Sequence, residues 1–154
     1  MFLEVEPIPI TREEIKSWYL LGDTMINETI LKNAKFKKYA HVVGHYSFDV
    51  FHRPILRKNG LIVEIRYAYF NCYTAIFIID EIKKDSYPVY ESWNYFPNGR
   101  GFKLFLKHRA IKIQEQMSAG IIPKRINKSQ IFDSERYYIS KKFSENEYDI
   151  STES

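Results

Sequence analysis

A set of polar residues with the chemistry of an acid–base site lies in the middle of the chain. The pair Asn59-Gly60 predicts a two-residue hairpin turn, across which positions whose numbers sum to 119 face each other. In that register one sheet face collects His45, Ser47, Asp49, Arg53, Glu64 and Arg66. His45 would be the general acid or base, with Asp49 or Glu64 orienting it, and an arginine such as Arg66 would clamp an anionic substrate. The simpler interpretation is the solvated side of an antiparallel sheet.

The segment from residue 100 to residue 128 holds the positive excess of the whole chain. The net charge is +4, but this segment alone has eight bases against Glu115, hence +7, and the remainder is −3. The bases are Arg100, Lys103, Lys107, Arg109, Lys112, Lys124, Arg125 and Lys128. A concentrated basic segment is typical of proteins that contact the phosphate backbone of nucleic acid. The simpler interpretation is that lysines solvate the outer face of a helix.

Aromatic residues precede the basic segment. Tyr95 and Phe96 would lie on opposite strand faces, and they are candidates for stacking on a nucleic-acid base or a ligand ring. Trp93 is expected in the core instead, because so large an apolar ring gains most from burial. Arg100 follows in the turn-forming stretch 97–101, where backbone amides can also reach a phosphate.

The sequence predicts no metal site and no cofactor. His41, His45 and Asp49 are spaced by four residues, but on a strand such positions lie about 13 Å apart and cannot share one ion. Cys72 has no cysteine partner and is expected to be a small buried hydrophobe. The sequence shows no nucleotide-binding glycine loop and no common hydrolase motif. An enzymatic activity is therefore not the favoured interpretation.

Helices are predicted near the start of the chain. Thr11 and Glu14 have the spacing of a capping box, and apolar residues follow at helical spacing to about residue 33. The stretch Gly22-Asp23-Thr24 divides this region into two helices, with Asp23 or Thr24 as the second cap.

Residues 41–84 are predicted to form β structure. Alternating apolar residues predict a strand over 41–52, and the hairpin register places Leu56 opposite Val63 and Arg53 opposite Arg66. Pro54 then requires an edge position or a bulge. The stretch 73–80 is apolar on both faces, which predicts a central strand covered on both sides, and a further strand is predicted over 89–95.

Residues 102–118 fit two structures. The alternation of Phe102, Leu104 and Leu106 favours a short strand to about residue 107, followed by a helix to about residue 118. One helix over the whole stretch is the alternative, and Gly120 is the predicted C-cap in either case. The final stretch 144–154 has four acids and no bases, which predicts a mobile acidic tail.

Together these elements predict one α+β domain over residues 1–143. It would contain N-terminal helices, a central curved antiparallel sheet of four to five strands, and a basic helix near the C-terminus. A length of 154 residues suits one domain, and no apolar run is long enough to span a membrane. The lone cysteine and the lack of a signal-peptide pattern indicate the cytoplasm, or the host-cell cytoplasm for a virus. Phe, Tyr, Ile, Asn and Lys total 66 residues, which is typical of an AT-rich genome.

Three functional classes remain open. The favoured one is a small non-catalytic binding protein that contacts nucleic acid or a nucleoprotein complex through its basic segment. It would be an accessory factor or inhibitor that belongs to a phage or mobile element. The first alternative is an enzyme or small-ligand-binding protein that takes a phosphorylated or other anionic substrate on the polar sheet face around His45. The second is a protein–protein interaction subunit of a larger assembly.

Overall fold

A computed structural model describes residues 6–43, 45–68, 73–92 and 97–126. Two helices come first, α1 (Arg12–Leu21) and α2 (Glu28–Asn33). Five strands follow: β1 (Lys37–Val43), β2 (Tyr46–Lys58), β3 (Leu61–Ala68), β4 (Tyr73–Asp80) and β5 (Asp85–Ser92). The strands form one open antiparallel sheet in the order β1-β2-β3-β4-β5. The predicted α+β class is therefore confirmed.

One long helix follows the sheet. It consists of α3 (Gly99–Phe105), a π turn (Leu106–Ala110) and α4 (Ile111–Ser118), which follow one another without a break. We call this element the basic helix. The favoured short strand over 102–107 is therefore wrong, and the alternative of a helix throughout is confirmed.

Hydrogen bonds at the helix ends explain where the first two helices begin. Thr11 Oγ1 accepts a hydrogen bond from the Glu14 amide at 3.1 Å, as the capping-box spacing predicts. Gly22, with a φ of 55°, ends α1. Asn27 caps α2, because its Oδ1 accepts a hydrogen bond from the Ile30 amide at 2.9 Å. The predicted second cap at Asp23 or Thr24 is therefore wrong.

The predicted strand over 41–52 is instead divided between two strands. β1 ends at Val43 and β2 begins at Tyr46, and these two residues face each other in an antiparallel pair. Apolar alternation indicates on which face a residue lies, but it does not show where the chain reverses direction. The strand predicted over 89–95 begins earlier, at Asp85.

The second hairpin forms at Asn59-Gly60, as predicted. Both residues have positive φ, 53° and 80°, which is the backbone of a type I′ turn. Leu56 faces Val63 as expected, but a bulge between Pro54 and Leu56 then shifts the register by one residue. Arg66 consequently faces His52, and the predicted pairing of Arg66 with Arg53 is wrong.

The bulge also separates the polar residues that were assigned to one face. Side chains alternate along a strand, so a one-residue shift moves every residue beyond it to the other side of the partner strand. Arg53 lies on the same side of β2 as the buried Phe51, toward the helices, whereas Glu64 and Arg66 lie on the opposite side of the sheet. Of the two positions predicted for Pro54, an edge or a bulge, the structure shows a bulge, and the shift in register follows from it.

The helices pack on one face of the sheet and form the main core there. Apolar side chains from every described helix join strand residues in this cluster, including Trp18, Leu31, Phe102, Phe105, Met117, Phe51, Ile65, Tyr67 and Ile76. A second cluster on the other face consists of Val50, Ala68, Tyr73, Ala75 and Phe77. Residues 73–79 of β4 are all buried, so the prediction of a central strand covered on both faces is confirmed.

The basic helix crosses α1 at Gly99. A Cβ atom at this position would collide with the Cβ of Leu21 and the carbonyl oxygen of Trp18. The preceding Asn98 caps the helix, since its Oδ1 accepts a hydrogen bond from the Gly101 amide at 2.9 Å. The stretch 97–101, which has the composition of a turn, therefore starts a helix that must lie directly against α1.

Candidate nucleic-acid interface

The π turn sets the orientation of the basic side chains on the basic helix. The Ile111 amide donates a hydrogen bond to the carbonyl of Leu106, five residues back instead of four. One extra residue is therefore accommodated, and residues after the turn lie about 100° back from their positions on a regular α-helix. Ala110 and Met117 lie on the buried side together with Phe102 and Leu106.

The same shift aligns three cations on the outer side. On a regular helix Arg100 and Lys107 lie about 20° apart, but Lys112 would lie more than 100° from both. With the extra residue, Lys112 rotates back into line with them. All three are exposed, and they follow the outer side of the basic helix over about 18 Å.

Three further cations lie over tyrosine rings. The Lys103 ammonium lies 5.0 Å from the ring centre of Tyr19 on α1. On the other side of the helix, the guanidinium of Arg109 lies 5.0 Å from the ring centre of Tyr90. These contacts are within the range of cation–π attraction, so the rings limit where both charges can lie.

The third of these pairs extends the surface past the end of the helix. The guanidinium of Arg125 lies 5.6 Å from the ring centre of Tyr87, and the Ile126 amide donates to the carbonyl of Pro88 at 3.1 Å. Burial, with a smaller contribution from Asp80, raises the pKa of the Tyr87 hydroxyl, so this ring stays neutral at physiological pH. Arg125 and Ile126 are thereby held along β5, the strand whose Tyr90 lies beneath Arg109.

Few carboxylates compensate this surface. Arg100 forms an exposed ion pair with Asp23 at 2.6 Å. Within the described ranges, no ion pair with a carboxylate involves the other six described bases of the segment, Lys103, Lys107, Arg109, Lys112, Lys124 and Arg125. Exposed pairs such as that of Arg100 exchange readily with solvent and other ions. The described part of the segment is therefore a largely uncompensated positive surface.

Several predicted residues lie outside the described residues. These are Lys128 of the basic segment, the stacking candidates Tyr95 and Phe96, the core candidate Trp93, Cys72, and the acidic stretch 144–154. Sequence analysis did not single out the tyrosines of the three cation pairs. Tyr87 and Tyr90 are three residues apart on a strand, and only the sheet and helix together bring them to Arg125 and Arg109.

The four catalytic candidates divide into two pairs. His45 and Asp49 are exposed; His45 lies in the turn between β1 and β2, and Asp49 lies on β2. Glu64 and Arg66 are buried on β3, where Arg66 Nε donates a hydrogen bond to Glu64 Oε1 at 2.9 Å. Glu64 and Arg66 thus contact each other, but the structure does not bring His45 or Asp49 into contact with them.

His52 joins the buried pair, which the predicted register had not indicated. Its Nδ1 lies 3.1 Å from the same oxygen, Oε1, of Glu64, and its ring packs edge-on against Tyr39 with 4.7 Å between ring centres. The Arg66 guanidinium lies 3.8 Å from the ring centre of Phe77. In the sequence, the signal for this contact was Pro54, because a bulge there moves His52 to the sheet face that carries Glu64. A His–carboxylate–Arg group can hold a proton, but its side chains are at most 4% exposed, which suits a structural role.

Two further observations concern metal binding and membrane-spanning helices. Among the described residues, no three side chains of His, Cys, Asp or Glu come together in a way that would hold a metal ion. Within the same residues, none of the helices combines the length and apolar character needed to cross a bilayer.

Comparison with known proteins gave no relatives. The chain matched no protein-family model, no curated protein and no solved structure.

Proposed function

We propose that this protein is a non-catalytic binding protein that contacts the phosphate backbone of nucleic acid, free or within a nucleoprotein. The contact surface would be the outer side of the basic helix together with residues 121–126. The observation that carries the proposal is the alignment of Arg100, Lys107 and Lys112 by the π turn. A charged line on a rigid helix matches the regular charge of a nucleic-acid backbone better than scattered surface lysines do.

The cation–tyrosine pairs support the same function. Arg109 and Arg125 lie next to β5, so the positive surface is broader than the helix itself. Their guanidinium groups are limited in position by the rings beneath them, and less side-chain freedom is lost when a phosphate binds. Arginine also binds phosphate through two parallel hydrogen bonds, which lysine cannot do.

Electrostatic binding of this kind has a measurable dependence on salt. Each phosphate that a cation neutralises releases counterions, so the logarithm of the binding constant falls with the logarithm of salt concentration, with a slope of about −0.9 per contact on duplex DNA. With three aligned cations and two arginines next to β5 in contact, we expect a slope of about −4 to −5.

The experiment compares two double variants in fluorescence-anisotropy titrations of labelled duplex and single-stranded DNA and RNA. Lys107→Ala/Lys112→Ala removes two aligned cations, while Lys83→Ala/Lys84→Ala removes two exposed lysines from the turn between β4 and β5. Both variants lose the same net charge. We expect the first to bind several-fold more weakly with a slope smaller by about 2, and the second to keep at least most of the slope.

Equal losses in the two variants would show that only net charge matters and would overturn the proposed surface. Absence of salt-dependent binding by the intact protein would overturn the function itself. The comparison of duplex and single strands, and of DNA and RNA, then identifies the preferred nucleic acid.

A further inference from the structure

A cleft separates the inner side of α1 from the end of α2, away from the sheet face that carries the polar network. Its volume is about 410 Å³, within the range of small-molecule sites. It is lined by Ile8, Glu14, Ser17, Trp18, Leu21, Ile30, Asn33, Ala34, Lys35 and Arg53. The α1 residues in this set are three, four and seven positions apart, the spacing of one helix face. These residues form one side of the cleft, and the end of α2 with Lys35 forms the other.

The floor of the cleft is polar, but its charged groups already have hydrogen-bond partners. Buried Arg53 pairs with both carboxylate oxygens of Glu14, and it also donates to the carbonyls of Ile8, Pro9 and Ala34. Glu14 Oε2 accepts a further hydrogen bond from Trp18 Nε1 at 3.1 Å. The charges of the floor cancel, and every guanidinium nitrogen already donates. The floor thus contributes neither net charge nor a free donor from Arg53.

The rim carries one cation that is in an unusual backbone conformation. Lys35 follows α2 with a φ of 70°, in the left-handed region where glycine is favoured. The Phe36 amide donates to the carbonyl of Leu31 at 3.0 Å, which completes the turn that ends the helix. Lys35 is exposed, and no ion pair with a carboxylate of the described chain involves it. The rim therefore offers one positive charge to a ligand in the cleft.

We propose that this cleft binds a small carboxylate with an apolar body. The apolar part would lie between Trp18, Leu21 and Ile30, and the carboxylate would lie at the rim, facing the Lys35 ammonium and the Asn33 side-chain amide. The neutral floor leaves Lys35 to set the preferred charge of the ligand. The cleft has room for about ten to fourteen non-hydrogen atoms, if each takes about the volume of a water molecule. This site is separate from the nucleic-acid surface, and neither proposal depends on the other.

Calorimetric titration with octanoate and octylamine tests the proposal, because the two probes share an apolar chain and differ in charge. We expect saturable binding of octanoate, and binding of octylamine at least ten-fold weaker. Lys35→Gly should weaken octanoate binding about five-fold, the effect of one partly solvated charge pair. The matched control is Lys84→Gly, since Lys84 is also exposed and also has a positive φ, 54°, but lies in the turn after β4.

Both glycine variants should remain folded, because glycine adopts positive φ without strain. Ser17→Phe places a ring into the cleft from an exposed position on α1 and should abolish octanoate binding. Lack of saturable octanoate binding, or binding that survives Ser17→Phe, would overturn the site. Equal affinity for both probes, or equal losses in Lys35→Gly and Lys84→Gly, would overturn the assignment of Lys35.

Discussion

Deletion of His108 from the π turn should leave the fold and its stability nearly unchanged. His108 is exposed and lies in the middle of the five-residue turn from Leu106 to Ala110. The turn already contains one residue more than a regular α-helix needs. Removing one residue therefore allows the segment to become α-helical, while the residues on both sides keep their orientation toward the core.

A deletion outside the π turn should destabilise the protein more, because it changes the orientation of the residues that follow. Each residue advances an α-helix by about 100° and 1.5 Å, so a deletion normally rotates everything that follows. In α4 such a rotation would remove Met117 from the core and break the two hydrogen bonds between the side chain of Gln114 and the backbone of Ile10. Loss of the Met117 contact costs about 1.5–3 kcal/mol and each hydrogen bond about 1 kcal/mol.

Deletion of Glu115 is the matched control, because this residue is also exposed but lies beyond the π turn. If the π turn persists, Met117 rotates out of the core. If the turn converts to α-helix, residues 111–114 rotate instead, and Gln114 loses Ile10. Either way we expect a loss of about 1.5–3 kcal/mol in the free energy of unfolding, against at most about 1 kcal/mol for the His108 deletion.

Urea unfolding followed by circular dichroism measures both values, with the slope of the transition checking that each variant unfolds as one unit. Equal destabilisation by the two deletions would refute the reasoning, because the π turn would then not be the element that absorbs the extra residue. A His108 deletion that fails to fold would refute it as well.

Two other predictions concern the cleft floor and β5. Glu14→Leu should cost about 3–5 kcal/mol by leaving the Arg53 guanidinium without its carboxylate. The double variant Glu14→Leu/Arg53→Met should not recover in urea unfolding, because three backbone carbonyls then lose their donor; recovery to the stability of the intact protein would contradict this role. For Tyr87, burial and then Asp80 raise the pKa of the folded state, so stability is constant below the unfolded pKa of about 10 and falls as pH rises above it. Tyr87→Phe should reduce that fall above about pH 10, and an unchanged pH profile would count against it.

Local signals made much of the fold predictable. The hydrogen bond from the Glu14 amide to Thr11 lies within one helical turn, and the positive φ angles of Asn59 and Gly60 belong to two adjacent residues. Such features depend on short-range sterics, which the types of neighbouring residues determine. The apolar character of 73–80 similarly predicted a central strand, since burial on both faces leaves little room for polar residues.

Single inserted residues limited the prediction of the candidate site. The bulge after Pro54 puts Arg53 and Arg66 on different sheet faces, and the π turn rotates Lys112 by about 100°. Both change which side chains share a face without changing the composition or apparent period of the sequence. The stretch 102–118 was ambiguous because the alternation of Phe102, Leu104 and Leu106 also fits a strand.

The basic surface depends on such an insertion more than on the number of charges. The +7 segment would be equally basic with an unbroken α-helix, but Lys112 would then face away from the line of Arg100 and Lys107. The shift thus aligns the cations while Phe102, Leu106 and Met117 stay buried. Only the salt dependence of the Lys107→Ala/Lys112→Ala variant, compared with its charge-matched control, separates a binding surface from a solvated helix.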